Sequence, residues 1–168
     1  MKHLRRFDES YTQQDLDELK DFCDDYLSYL IDDDYKVSVQ DFETEEVGDV
    51  FQVVVRTPKV TKPLGFFKRI NGNFSRDEEE VGTPFSHFKD RLIPFVYMLL
   101  KDYRLLTNEE VMRMNLGHNE ASMGFAKPNP NGRMMDTEMV RVSSLDDLEK
   151  VEDDLKVSTF YIRVKKKD

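Results

Sequence analysis

The residues able to do chemistry are few and far apart along the chain. One cysteine, Cys23, and three histidines, His3, His87 and His118, are spread over 168 residues. A single thiol cannot close an internal disulfide, and three scattered imidazoles do not form the closely spaced ligand set of a zinc site. Cys23 stands beside Asp21, Asp24 and Asp25, whose charges raise a thiol pKa where a nucleophile needs it lowered. It also falls on an apolar helical stripe, so it is expected as a small buried hydrophobe. His118 lies in a Gly/Asn-rich stretch and is the best-placed acid–base candidate, with only Asn119, Glu120 and Arg133 near it in sequence as polar company. Asp32-Asp33-Asp34 offers hard oxygen ligands, but adjacent carboxylates point in different directions and converge poorly on one cation. The chain has no Gly-rich phosphate loop, no G-x-S-x-G, no H-E-x-x-H, no C-x-x-C and no calcium-loop spacing. These residues imply no catalytic site, no cofactor and no metal. They point to a non-enzyme, with a small motif-free enzyme around His118 as the remote alternative.

The charge is uneven. The net charge is −9. Residues 1–34 hold four Lys/Arg against eleven Asp/Glu, a net of 4 − 11 = −7, and the remaining residues account for −2. Phosphate binding needs a clustered basic surface, so direct nucleic-acid binding is not expected. The one basic run, Lys165-Lys166-Lys167, reads as a solubilising tail, with a contact to phosphate or an acidic partner as the alternative. An acidic first segment also suits a protein that competes with DNA for a basic nucleic-acid-binding protein.

The elements that must position these residues follow from periodicity. Hydrophobic residues are 39% of the chain and charged residues 35%, a balance compatible with a folded core and with no disordered or membrane class. No stretch reaches the ~18 apolar residues of a membrane span, and Met1–Glu9 lacks the apolar run of a secretory signal. Leu16, Leu19, Cys23, Tyr26, Leu27 and Leu30 keep helical spacing, with Asp17, Asp21, Asp24 and Asp25 opposite. Thr12 is read as the N-cap, which leaves 1–11 as a charged arm, and Asp32–Asp34 as a fraying end whose charges oppose the helix dipole. Residues 36–40 and 50–56 alternate as strands joined by a hairpin loop over 44–49, and Phe42, out of phase, suggests a bulge. Phe88, Leu92, Phe95, Val96, Leu99 and Tyr103 stripe a second, central helix capped by Ser86 or Thr83, with Pro94 inside it. Thr107-Asn108-Glu109-Glu110 is a capping box before a short helix. A strand over 138–142, a helix over 144–155 and a strand over 158–164 complete the order α-β-β-α-(α)-β-α-β. The fold class is therefore α+β: a single domain over 1–168, a mixed or antiparallel four-stranded sheet with helices packed on one face, and a basic tail at 165–168.

Two segments, 61–82 and 115–137, read as irregular and carry bulky apolar residues. These are Phe66, Phe67 and Phe74 in the first, and Met123, Phe125, Met134 and Met135 in the second. Loops this long are uncommon in compact domains and are often functional, and methionine-rich surfaces suit adaptable protein contacts. The seven residues form the candidate partner surface, the alternative being lids folded over the core.

The opening Met-Lys-His-Leu-Arg-Arg-Phe-Asp-Glu-Ser, through Leu4, Arg5, Arg6, Phe7 and Glu9, resembles the start of many small tailed-bacteriophage proteins. The run Phe88-Lys89-Asp90-Arg91-Leu92-Ile93-Pro94-Phe95, with the apolar helix and Tyr103 after it, is similar to segments that recur in phage chains. The resemblance implies a phage-encoded protein acting by protein–protein contacts, as a minor virion component or a binder of a host factor. It would act in the host cytoplasm or the virion, with a phage structural protein or a host factor as partner, and no membrane. It carries over no catalytic residue.

Overall fold

A computed structural model of the chain describes residues 2–44, 47–59, 61–63, 69–70, 73–74, 78–114, 121–129 and 137–168. The first element, α1 (Lys2–Asp32), is one long helix. It leads into the hairpin of β1 (Lys36–Thr44) and β2 (Gly48–Arg56). Four short strands follow: β3 (Thr61–Pro63), β4 (Arg69–Ile70), β5 (Asn73–Phe74) and β6 (Glu78–Glu80). Then come β7 (Thr83–Pro84), a 3₁₀ turn over Phe85–His87, α2 (Lys89–Asp102), β8 (Tyr103–Leu105) and α3 (Asn108–Arg113). The chain ends with β9 (Met123–Ala126), β10 (Met139–Val142), α4 (Leu145–Glu149), β11 (Lys156–Val157) and β12 (Thr159–Lys166).

The α+β reading holds, and the sheet is larger than four strands. Its main path runs β1-β2-β12-β9-β10, with β8 also on β12, and all these pairings are antiparallel. β12 is the central strand. Along one edge it pairs with β2 from Thr159 to Val164; along the other it pairs first with β9, through Thr159–Ile162, and then with β8, through Val164–Lys166. Period-two alternation sends Phe51, Val53 and Val55 of β2 and Phe160, Ile162 and Val164 of β12 to one face. Met123 and Phe125 of β9 join them, and α1, α2 and α4 close over this layer with Leu27, Phe95, Leu99 and Leu148, all buried. The buried face of α1 follows the expected stripe except at Tyr26, which is exposed.

Several local expectations are corrected. Thr12 does not begin α1: the helix runs through it from Lys2. The far end of α1 is a closed Schellman turn. Tyr35 N–H donates to Leu30 O at 3.0 Å, Asp34 N–H to Ile31 O at 3.2 Å, and Asp34 sits in the left-handed region at φ 67°. Phe42 marks no bulge, because β1 and β2 pair residue for residue from Lys36↔Arg56 to Thr44↔Gly48. The phase changes because the apolar target changes face. Val37 and Val39 pack on the main core, whereas Phe42 packs on a second cluster of Val47, Val50, Leu106 and Val111. That cluster puts α3 on the other side of the sheet, so the helices are not all on one face. α2 has no side-chain cap; Phe88 is its N-cap and the 3₁₀ turn precedes it. α4 is only five residues long, because the chain after it hands its carbonyls to the 3₁₀ turn: Phe85 N–H donates to Leu155 O and Ser86 N–H to Asp153 O.

The two segments read as irregular contain strands. β3 pairs with β6 and β4 with β5, with Ile70 opposite Asn73 on either side of the Asn71-Gly72 expected to turn, which itself lies outside the described residues. β9 occupies the middle of the second segment.

Candidate partner-binding surface

The candidate residues separate into two groups. Met123 and Phe125 are wholly buried in β9 at the centre of the sheet, with Phe125 packed against Phe85 and Phe160 at ring-centroid distances of 5.0 and 5.2 Å. They are core residues and present nothing to a partner. Phe66, Phe67, Met134 and Met135 lie outside the described residues, as does the side chain of Phe74. His118, Asn119, Glu120 and Arg133 lie outside them too.

The potentially reactive groups that are described have structural surroundings. The Cys23 thiol is 1% exposed, and burial, with Asp24 adding to it, pushes its pKa up to about 12. It is a core side chain, not a nucleophile. His87 is exposed at the end of the 3₁₀ turn. Among the described residues no three His, Cys, Asp or Glu side chains are grouped to hold a metal ion, and no helix is long and apolar enough to cross a membrane.

The C-terminal lysines are no loose tail. Lys165 and Lys166 belong to β12, and each ammonium is held. Lys165 Nζ donates to Val47 O and lies 3.6 Å from Glu110 Oε2. Lys166 Nζ pairs with the buried Asp15 at 2.5 Å and lies 3.9 Å from Glu18. Lys167 Nζ donates to Leu100 O at 2.8 Å, near the negative end of α2, where a cation is favoured. Glu110 is the hub of a second set. It closes the expected capping box with Thr107 and accepts from the two terminal guanidinium nitrogens of Arg104, Nη1 to Oε1 at 2.7 Å and Nη2 to Oε2 at 3.2 Å. The hydrogen bond from Arg104 holds its carboxyl down at about 2. Behind the sheet, buried Arg163 donates to Gln52 Oε1 and Ala121 O, both at 2.7 Å, so its charge is solvated by the protein.

The surface left over is aromatic and acidic. α1 and α2 meet along a seam where Phe22 contacts Phe95 at 5.6 Å and Tyr26 at 4.5 Å. On the outer side of that seam Tyr29 is 61% exposed and Tyr26 41%; Tyr97, on the face of α2 opposite Phe95, is 54% exposed. The Arg91 guanidinium stacks on the Tyr29 ring at 4.1 Å, and Lys101 lies 5.1 Å from the centroid of Tyr97. Asp21, Asp24, Asp25, Asp32 and Asp33 are exposed on α1 and just beyond it. None of them carries an ion pair among the described residues. At the far end the seam opens into a cleft of about 630 Å³ with an apolar floor that includes Leu19, Phe22 and Met98 and a rim that includes Glu18, Lys101 and Lys166.

Sequence reasoning placed Tyr26 in the core and left Tyr29 and Tyr97 unremarked. The signal was present: Tyr26 and Tyr29 lie on the flank of the α1 stripe, and Tyr97 falls opposite Phe95 and Leu99 on α2. Comparison of the chain with family models, curated proteins and solved structures finds no match.

Proposed function

We propose that this chain is a non-enzymatic binding protein that acts through the exposed face of the α1–α2 seam. The observation that carries the reading is the exposure of Tyr26, Tyr29 and Tyr97, the first two on a helix whose exposed aspartates form no ion pair among the described residues. Tyrosine covers a large apolar area with little conformational entropy to lose and keeps a polar tip, which suits a docking surface. Each of these three side chains leaves a large part of its surface open to a partner. The resemblance of the N-terminal segment to phage proteins supplies the setting: a minor virion component or a binder of a host factor. Phe66, Phe67, Phe74, Met134 and Met135, outside the described residues or with their side chains outside them, stay in the proposal as candidate contact residues on their sequence alone. The absence of a convergent set of reactive groups among the described residues is consistent with this reading and is not its basis.

The test is to replace Tyr26, Tyr29 and Tyr97 together by Ser and to recover the tagged protein from infected cells and from purified virions. The reading expects an unchanged melting temperature with loss of the co-purifying partner or of incorporation. Full retention of both by the stable variant would refute it.

A further inference from the structure

We infer that the partner presents arginine, and that the α1 face around Tyr26 and Tyr29 is built to stack and neutralise guanidinium groups. The inference rests on the contact reading above and adds the chemistry of the occupant. On a helix, the side chains nearest Tyr29 are those three and four positions away. Those are Asp25 and Asp32, both exposed, and Tyr26, with exposed Asp33 just beyond the end of the helix. Tyr29 thus shares this end of α1 with three aspartates, none of which forms an ion pair among the described residues. Arg91, on α2, already lays its guanidinium on this ring at 4.1 Å, yet the side chain remains 61% exposed. The chain's own arginine thus shows the mode of recognition, and the exposed remainder of the ring offers it again. Tyr26 lies one turn before Tyr29 and keeps 41% of its surface open, so two rings are presented along one side of α1.

Arginine suits this arrangement better than lysine. Its planar guanidinium stacks on an aromatic ring while its edge donates a pair of hydrogen bonds to a carboxylate. A lysine ammonium is a hydrated point charge and gains mainly the Coulomb attraction. Nucleic acid is disfavoured as occupant, because its phosphates would meet three aspartates.

The test measures the full chain against two labelled peptides, one arginine-rich and the other identical except for lysine at every arginine position, by fluorescence anisotropy. The arginine peptide should bind about three- to fivefold more tightly, the size of an exposed cation–π contribution. Tyr26→Ser with Tyr29→Ser should bring the two peptides to equal affinity. Asp25→Asn, Asp32→Asn and Asp33→Asn together should weaken both peptides by about tenfold and flatten the dependence on salt. Tyr29→Ser alone, at an exposed position, keeps the test open if the double variant fails to fold. Equal affinity for the two peptides, a preference that survives the tyrosine changes, or no binding would overturn the inference. Self-association of the chain that Tyr29→Ser abolishes, without peptide binding, would also overturn it and give the face to a second copy. If the peptides fail while partner capture still depends on the three tyrosines, the contact reading stands and only the arginine assignment falls.

Discussion

Asp34→Gly should stabilise the protein, although it removes a side chain. Asp34 is the left-handed residue of the Schellman turn that ends α1, at φ 67°. An L-residue there costs up to about 1–2 kcal/mol, less for Asp than for most, and glycine removes that cost. The substitution also takes a carboxylate away from the negative end of a helix, worth about 0.5 kcal/mol. Against this, glycine loosens the unfolded chain by about 0.4–1 kcal/mol. The balance is a gain of about 0.5–1 kcal/mol, or roughly 1–4 °C in melting temperature at this size. Differential scanning calorimetry on four proteins checks the reasoning. The order should be Asp34→Gly above Asp34→Asn, then the parent, then Asp34→Ala, which loses the charge but keeps a Cβ in the left-handed region. A melting temperature for Asp34→Ala equal to or above that of Asp34→Gly would refute the backbone argument.

Gly124→Ala should destabilise by about 2–3 kcal/mol or more in urea titration, since the added Cβ would lie 2.5 Å from Val140 O, a backbone atom that cannot turn aside. Glu110→Gln should cost about 1 kcal/mol at neutral pH, allowing for the solvent exposure of Arg104. Because the folded-state pKa of Glu110 is depressed from 4.5 to about 2, its contribution is present above 4.5 and is lost as pH falls toward 2. The gap between parent and variant should therefore close over that window in acid titrations of stability. Cys23 should react with a thiol reagent only at the rate of opening of the fold; rapid labelling of the native protein would place it elsewhere than the core.

The sequence was most informative where one period governs one face. The α1 stripe, the alternation of β2 and β12 and the Thr107–Glu110 capping box each express a single local rule, and each appears in the structure. Phe42 misled because β1 serves two cores on opposite faces, so its apolar residues change phase without any bulge. β9 was missed because Met123-Gly124-Phe125-Ala126 is too short to display a period and contains a glycine, which weakens a strand reading. Only the close approach of Tyr161 and Val140 explains that glycine, and those contacts come from distant parts of the chain. The surface at the seam was hidden for a related reason. Tyr26 lies at the flank of the stripe, where the spacing allows either burial or exposure, and the position of α2 against α1 decides which. The lysines at the C-terminus read as a tail because their partners, Asp15, Val47 and Leu100, are remote in sequence.

The most direct measurement of the central claim is a photo-crosslinking scan in infected cells. A benzophenone amino acid is placed in turn at Tyr26, Tyr29 and Tyr97, and at the exposed Asp146 and Glu149 of α4 as controls. The account predicts one adduct of defined mass from the three seam positions and none from α4. An adduct from α4 with silence at the seam would contradict it and move the interface to α4.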